Sequence, residues 1–258
     1  VLLLLPPSEG KTPAPSGAPC DLSALSSPDL TAHRTRVLRA LARVSARPDA
    51  MERLGAGPSL AEDVARNTRL DVEPAAPASS VYTGVLYAAA GLTELDDAPA
   101  ARAATTVRTV SALWGAVSPT DRIPAYRLSM GTDLAGVGPL APSWRPHLER
   151  ALAPLAEGDV VVDCRSAAYL AAWKPARGTD WVTVRVLREL DGRRSVVSHN
   201  AKHARGVLTR HLLTRAAEPP STSEDLLKAA HELVGTSFLE VSLVSARTGP
   251  ATLELVVT

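Results

Sequence analysis

Residues 1–5 form an unbroken apolar run stopped by Pro6-Pro7. Such a run predicts a strand buried on both faces, since a half-exposed strand would alternate. Residues 8–28 are rich in Pro, Gly, Ser and Ala without periodicity, which predicts a long loop over the end of that strand. From Thr31 the apolar positions Val37, Leu38, Leu41 and Val44 recur at helical spacing until Pro48, predicting an amphipathic helix. Residues 51–67 read as helix, tight turn at Gly55-Ala56-Gly57-Pro58, and helix. Further helices are predicted over 85–90, 98–102, 144–155 and 201–215, and one more with Ser223 as its cap. Strands are predicted over 106–111, 160–162, 182–187 and 195–198, the last two flanking a hairpin turn at Asp191-Gly192. Two closing strands surround Thr248-Gly249-Pro250, whereas residues 113–132 carry turn chemistry throughout.

Strand and helix signals are mixed without strict alternation. The pattern predicts a single α+β or irregular α/β domain over residues 1–258, a central mixed sheet flanked by helices, with a helix-hairpin-helix element at about residues 31–67.

Composition narrows the function classes. With 258 residues, 45% hydrophobic and 21% charged, the chain is globular, and disordered or fibrous classes are excluded. A net charge of +1 means that nucleic-acid binding requires a local basic patch. Cys20 and Cys164 are far apart with no CxxC, so no disulfide framework or zinc knuckle is expected and a reducing cytoplasm is the expected compartment. Five apolar residues before a Pro pair are too short for a signal peptide or a membrane span, so no membrane partner is expected.

Four groups of residues carry candidate chemistry. Gly10-Lys11-Thr12 follows a buried strand, but the first glycine of a phosphate loop is missing, since position 5 is Leu5. Ser8, Glu9 and Lys11 nevertheless stand where clefts of α/β sheets open. The second group, Leu54 to Ala61, fits a hairpin whose backbone N–H groups at Gly55, Gly57 and Ser59 would hold phosphate oxygens. Arg36, Arg39 and Arg43, with Arg34 and Arg47 nearby, would supply a basic face for duplex or branched DNA. The third group is Asp121, Arg122, Tyr126, Arg127 and Met130 with Asp163, Arg165, Ser166 and Tyr169, which either pair in the interior or furnish a site. In the fourth, Lys202 and Arg205 at i, i+3 form an anion clamp, while His199 and His203 at i, i+4 lack a third metal ligand. Neither a metal nor a cofactor is implied, and the oligomeric state is left open. A GxSxG elbow is absent, so Ser166, His199 and Asp163 carry no triad signature.

The blocks LLLPPSEGKT, VYTGVLY, LWGAVSPTDRIPAYRLSMG, VVVDCRSAAYLAAWKP and VVSHNAKHARGVLTR together resemble the YaaA-type peroxide stress protein family. The resemblance implies a cytoplasmic bacterial protein linked to survival of hydrogen peroxide, with a helix-hairpin-helix and DNA binding. Its recurrent positions fall on Lys11, Tyr82, Thr83, Gly84, Tyr126, Arg127 and Met130, and on Ser166, Tyr169, Lys174, Lys202, Ala204, Arg205 and Gly206. Two functional expectations follow. One is a non-catalytic DNA-binding protein acting through Arg36, Arg39, Arg43, Gly55, Gly57 and Ser59. The other is an enzyme or ligand-binding protein for an anionic small molecule, such as a nucleotide or phosphorylated metabolite. Its pocket would hold Ser8, Glu9, Lys11, Tyr82, Thr83, Arg127, Ser166, Lys202 and Arg205, with Lys11, Tyr126 and Asp163 as catalytic candidates.

Overall fold

Leu2–Leu5 (β1) lies in the middle of an eight-stranded sheet, and its four leucines are 0–2% exposed. Strands cover it on both sides and other elements on both faces, as the unbroken apolar run requires. The computed structural model describes residues 1–190, 192–196 and 199–258. Asp191 of the predicted hairpin turn, Val197 and Ser198 of the predicted strand, and the side chains of His199 and Asn200 lie outside the described residues.

The other strands are Val107–Ser111 (β2), Gly115–Val117 (β3), Val161–Asp163 (β4), Trp181–Leu190 (β5), Arg193–Val196 (β6), Glu240–Val244 (β7) and Ala251–Val257 (β8). Their order is β7-β8-β5-β4-β1-β2-β3, with β6 on β5. The five central strands are parallel, and β3, β6 and β7 add antiparallel margins. Leu3 sits opposite Val107 on one side and Val162 on the other. The chain therefore leaves β1 toward β2 and later returns to β4 on the opposite side. Loops that diverge in this way leave a crevice outside the carboxyl ends of the two strands.

Thr31–Ser45 (α1) buries Val37, Ala40, Leu41 and Val44 as its periodicity predicts. Arg34 departs from the predicted basic face. It is wholly buried and donates to the carbonyls of Trp114 (2.8 Å), Ala116 (2.8 Å) and Ser26 (2.7 Å), because a cation removed from water must find acceptors. Arg47 pairs with Asp49. Arg36, Arg39 and Arg43 remain exposed on α1.

The predicted hairpin is reduced to two short helices, Ala50–Arg53 (α2) and Ala61–Arg66 (α3). Gly55, at φ 58°, ends the first in the left-handed region, and a 3-10 turn at Pro58–Leu60 precedes the second. The acidic Glu62 and Asp63 occupy the first turn of α3.

The remaining helices are Ala78–Val81 (α4), Val85–Ala90 (α5), Asp97–Thr106 (α6), Leu140–Ala156 (α7), Ala167–Leu170 (α8), His199–Thr214 (α9) and Ser223–His231 (α10). Thr222 caps α10 in place of the expected Ser223, its hydroxyl accepting the Asp225 N–H at 3.1 Å. None of the described helices is long and apolar enough to cross a membrane.

Candidate functional site

The crevice at β1 and β4 is a cavity of about 440 Å³. Its walls are the loop after β1, the start of α5, the segment 127–129, the start of α8, and Lys202 and Arg205 on α9. Ser8, Glu9, Lys11, Thr83, Arg127, Ser166, Lys202 and Arg205 all line it, so five stretches far apart in sequence meet at one place.

The loop carrying Lys11 is held by backbone pairing. Thr12 donates its N–H to the Val81 carbonyl at 2.9 Å, and Lys11 bridges Tyr82 in antiparallel register. This pairing directs the Lys11 amine inward. Nζ donates to the Ser8 carbonyl at 2.6 Å and lies 4.4 Å from the centroid of the Tyr126 ring and 5.7 Å from that of Tyr82. Burial, followed by the nearby Arg127 guanidinium, pulls its pKa down to about 7, while Asp63 and Glu9 oppose the shift. The amine thus gives up its proton far more readily than a free lysine.

Tyr82 and Tyr126 lie beneath Lys11 as a floor and are almost wholly buried. Ser111 Oγ accepts the N–H groups of Leu113 (3.2 Å) and Trp114 (3.0 Å), so its own proton goes to the Tyr126 hydroxyl at 2.6 Å. The Tyr126 proton then goes to Tyr82 at 3.1 Å. Burial raises both phenols well above their ordinary range, which keeps them protonated. Tyr87, on the cavity wall, donates to the Pro6 carbonyl at 2.8 Å and accepts from Thr109 at 3.0 Å. Tyr169 completes the cluster, its phenol pushed by burial up to about 12. All four tyrosines of the chain therefore surround this cavity.

Asn67 holds the Arg127 wall. Its side chain is fully buried, accepting the Arg127 N–H at 2.9 Å and donating to the Arg127 carbonyl at 2.8 Å. Asn67 was not legible in the sequence, where it reads only as a polar residue at the end of a helix. Through it the short hairpin flanks the cleft. On the far wall, Gly206 lets α9 approach α5 closely, for a Cβ there would stand 2.3 Å from the Leu86 carbonyl oxygen. Arg205, one residue earlier, donates to the Val184 carbonyl at 2.8 Å, and its buried Nε has no partner among the described residues.

Asp163 does not line the cavity. Its Oδ1 accepts from Nε of Arg165 at 2.8 Å and its Oδ2 from Nη2 at 2.6 Å, both side chains being 0% exposed. The Arg165 backbone N–H and the Trp181 indole take the remaining lone pairs, which makes the pair a structural clasp. Tyr126 likewise has its hydroxyl committed below the floor.

Ion pairs bind many of the other basic residues, including Arg66 to Asp63, Arg194 to Glu240 and Arg215 to Glu232. Among the described residues, no carboxylate pairs with Lys11, Arg127, Lys202 or Arg205 within 4.0 Å. These basic groups face one cavity, whose one lining carboxylate is Glu9.

The sequence profile of the family described as "Peroxide stress protein YaaA" matches residues 1–233, which include every wall of this cavity. The chain belongs to the YaaA family of peroxide stress proteins. A UPF0246 protein of Streptomyces coelicolor is 45% identical over 237 residues, covering 90% of each chain. One from Corynebacterium efficiens is 41% identical over 229 residues, covering 87% of this chain and 89% of its own. A third, from Corynebacterium glutamicum, is 36% identical over 235 residues, with 89% and 91% covered.

Proposed function

We propose that the cleft at the ends of β1 and β4 binds a small anionic molecule carrying phosphate or carboxylate, and that Lys11 is its acid–base group. The observation that carries this reading is the convergence of Lys11, Arg127, Lys202 and Arg205 on one cavity without ion-pair partners among the described residues. Unpaired cations beside a concave, partly apolar wall suit an anion that satisfies them. A lysine with a pKa of about 7 is matched to proton transfer at neutral pH. The test is calorimetric titration with nucleotides and sugar phosphates against the wild type and Arg127→Met with Arg205→Gln. Binding lost by at least tenfold in the double variant supports the reading; equal binding, or none by the wild type, overturns it.

A second reading is duplex or branched DNA on the outer surface. It is favoured by the exposed Arg36, Arg39 and Arg43 on one helix. The hairpin supports it less, because Glu62 and Asp63 set negative charge at the helix start meant for phosphate. Anisotropy with labelled duplex and junction at two salt concentrations decides it. Salt-sensitive binding abolished by Arg39→Glu with Arg43→Glu sustains the DNA reading, and binding unchanged by that pair removes it.

A further inference from the structure

We propose that Lys11 is a nucleophile that condenses with the carbonyl carbon of a small anionic aldehyde or ketone, forming an imine inside the cleft. The inference rests on the anion-site reading above and names its substrate class. Three observations lead to it. First, only four of the 28 basic residues of this chain are lysines, and two of them, Lys11 and Lys202, line this cavity. Arginine would serve an anion equally well there and is what the chain uses nearly everywhere else. What lysine adds is an amine that can lose its proton and attack.

Second, the Lys11 amine is placed for attack. It lies on the faces of Tyr126 and Tyr82, anchored to the Ser8 carbonyl, within a cavity whose wall includes the apolar side chains of Pro6, Leu86 and Leu128. An apolar wall beside the amine favours loss of water from an adduct. The same burial, together with Arg127, leaves much of the amine neutral near pH 7. Third, Arg127, Lys202 and Arg205 stand on the surrounding walls, where they would hold the anionic end of the carbonyl compound.

The step balances without an outside reagent. The amine lone pair forms the C–N bond as the carbonyl π pair moves to oxygen, and a proton passes from nitrogen to that oxygen to give the carbinolamine. The C–O bond then breaks as the nitrogen lone pair forms the C=N bond, and the hydroxyl departs as water with the last proton of the nitrogen, which leaves a neutral imine. Uptake of one proton from solvent converts it to the iminium cation, and Glu9 and Asp63 lie close enough to favour positive charge on this nitrogen.

Glyceraldehyde 3-phosphate serves as the carbonyl probe and glycerol 3-phosphate as its carbonyl-free counterpart. The full-length protein is incubated with the aldehyde, reduced with borohydride and mapped by peptide mass spectrometry, while binding of the alcohol is followed by calorimetry. The expected result is a reduced adduct at Lys11 at least tenfold above that at Lys174 or Lys228, faster above pH 7 than below. Lys11→Arg, with its fold checked by thermal melting, loses the adduct. Binding of glycerol 3-phosphate without an adduct at Lys11 overturns the nucleophile and leaves the anion site standing. An adduct spread evenly over the lysines also overturns it, and failure of both compounds to bind overturns the nucleophile and the anion site together.

Discussion

Asn67 and Arg127, 60 residues apart, are joined by two hydrogen bonds that mimic a pair of strand partners, 2.9 Å from the Arg127 N–H and 2.8 Å to its carbonyl. The cleft wall is thereby fastened to the end of the short hairpin. Asn67→Ala removes both partners from partly buried backbone groups, and we expect a loss of about 2–3 kcal/mol of stability in urea unfolding. Affinity for a phosphate ligand should fall as the Arg127 segment loosens. Unchanged stability would mean that water replaces the side chain without cost.

Lys11 gives a pH signature of its own. Its amine titrates near 7 in the fold against 10.5 in the unfolded chain, so the unfolded chain holds the extra proton between those values. Stability from this group is therefore complete only above pH 10.5 and falls with pH, reaching its full penalty below 7. Lys11→Met should raise the melting temperature most at pH 6, on the order of 5 °C, with the gain shrinking toward pH 10. A gain that does not vary with pH would refute the lowered pKa.

Gly206 sets the distance between α9 and α5. Gly206→Ala places a methyl group 2.3 Å from a backbone oxygen and 2.7 Å from the Ala89 side chain, neither of which can rotate away. We expect about 1–3 kcal/mol of destabilisation from overpacking, read by denaturant unfolding. Weaker phosphate binding should accompany it, because Arg205 is displaced with the helix.

The Asp163 carboxylate is expected to matter for folding alone. Asp163→Ala leaves the Arg165 guanidinium buried without its carboxylate and should cost about 3–5 kcal/mol. Replacing both residues with apolar side chains of similar volume should recover most of that loss, as measured by melting temperature. Retention of ligand affinity by this double variant would separate the clasp from the cleft.

Much of the site was legible because strand ends and loops announce themselves. The apolar run of β1 and the polar residues directly after it identify a strand terminus, and the same design at β4 identifies a second. That both open on one crevice follows from parallel strands leaving in opposite directions. Arg34 and Asn67 escaped because their roles depend on acceptors that only the assembled fold supplies, the carbonyls of Trp114 and Ala116 for one and the backbone of Arg127 for the other. Spacing placed Arg34 beside the exposed arginines of α1, yet one helical position inward it became a core residue. The group holding Asp163, Arg127 and Arg165 left its pairing open in the sequence; the fold pairs Asp163 with Arg165, two residues along the same loop, and sets Arg127 on the cavity wall.

Gathering Tyr82, Tyr87, Tyr126 and Tyr169 around one cavity leaves no tyrosine anywhere else in the chain. The tyrosine part of the near-ultraviolet dichroism and difference absorbance of this protein thus comes from the neighbourhood of Lys11, overlaid by the tryptophans and the one phenylalanine. Occupation of the cleft can accordingly be followed optically in the unlabelled protein, in the same cuvette in which a candidate ligand is titrated.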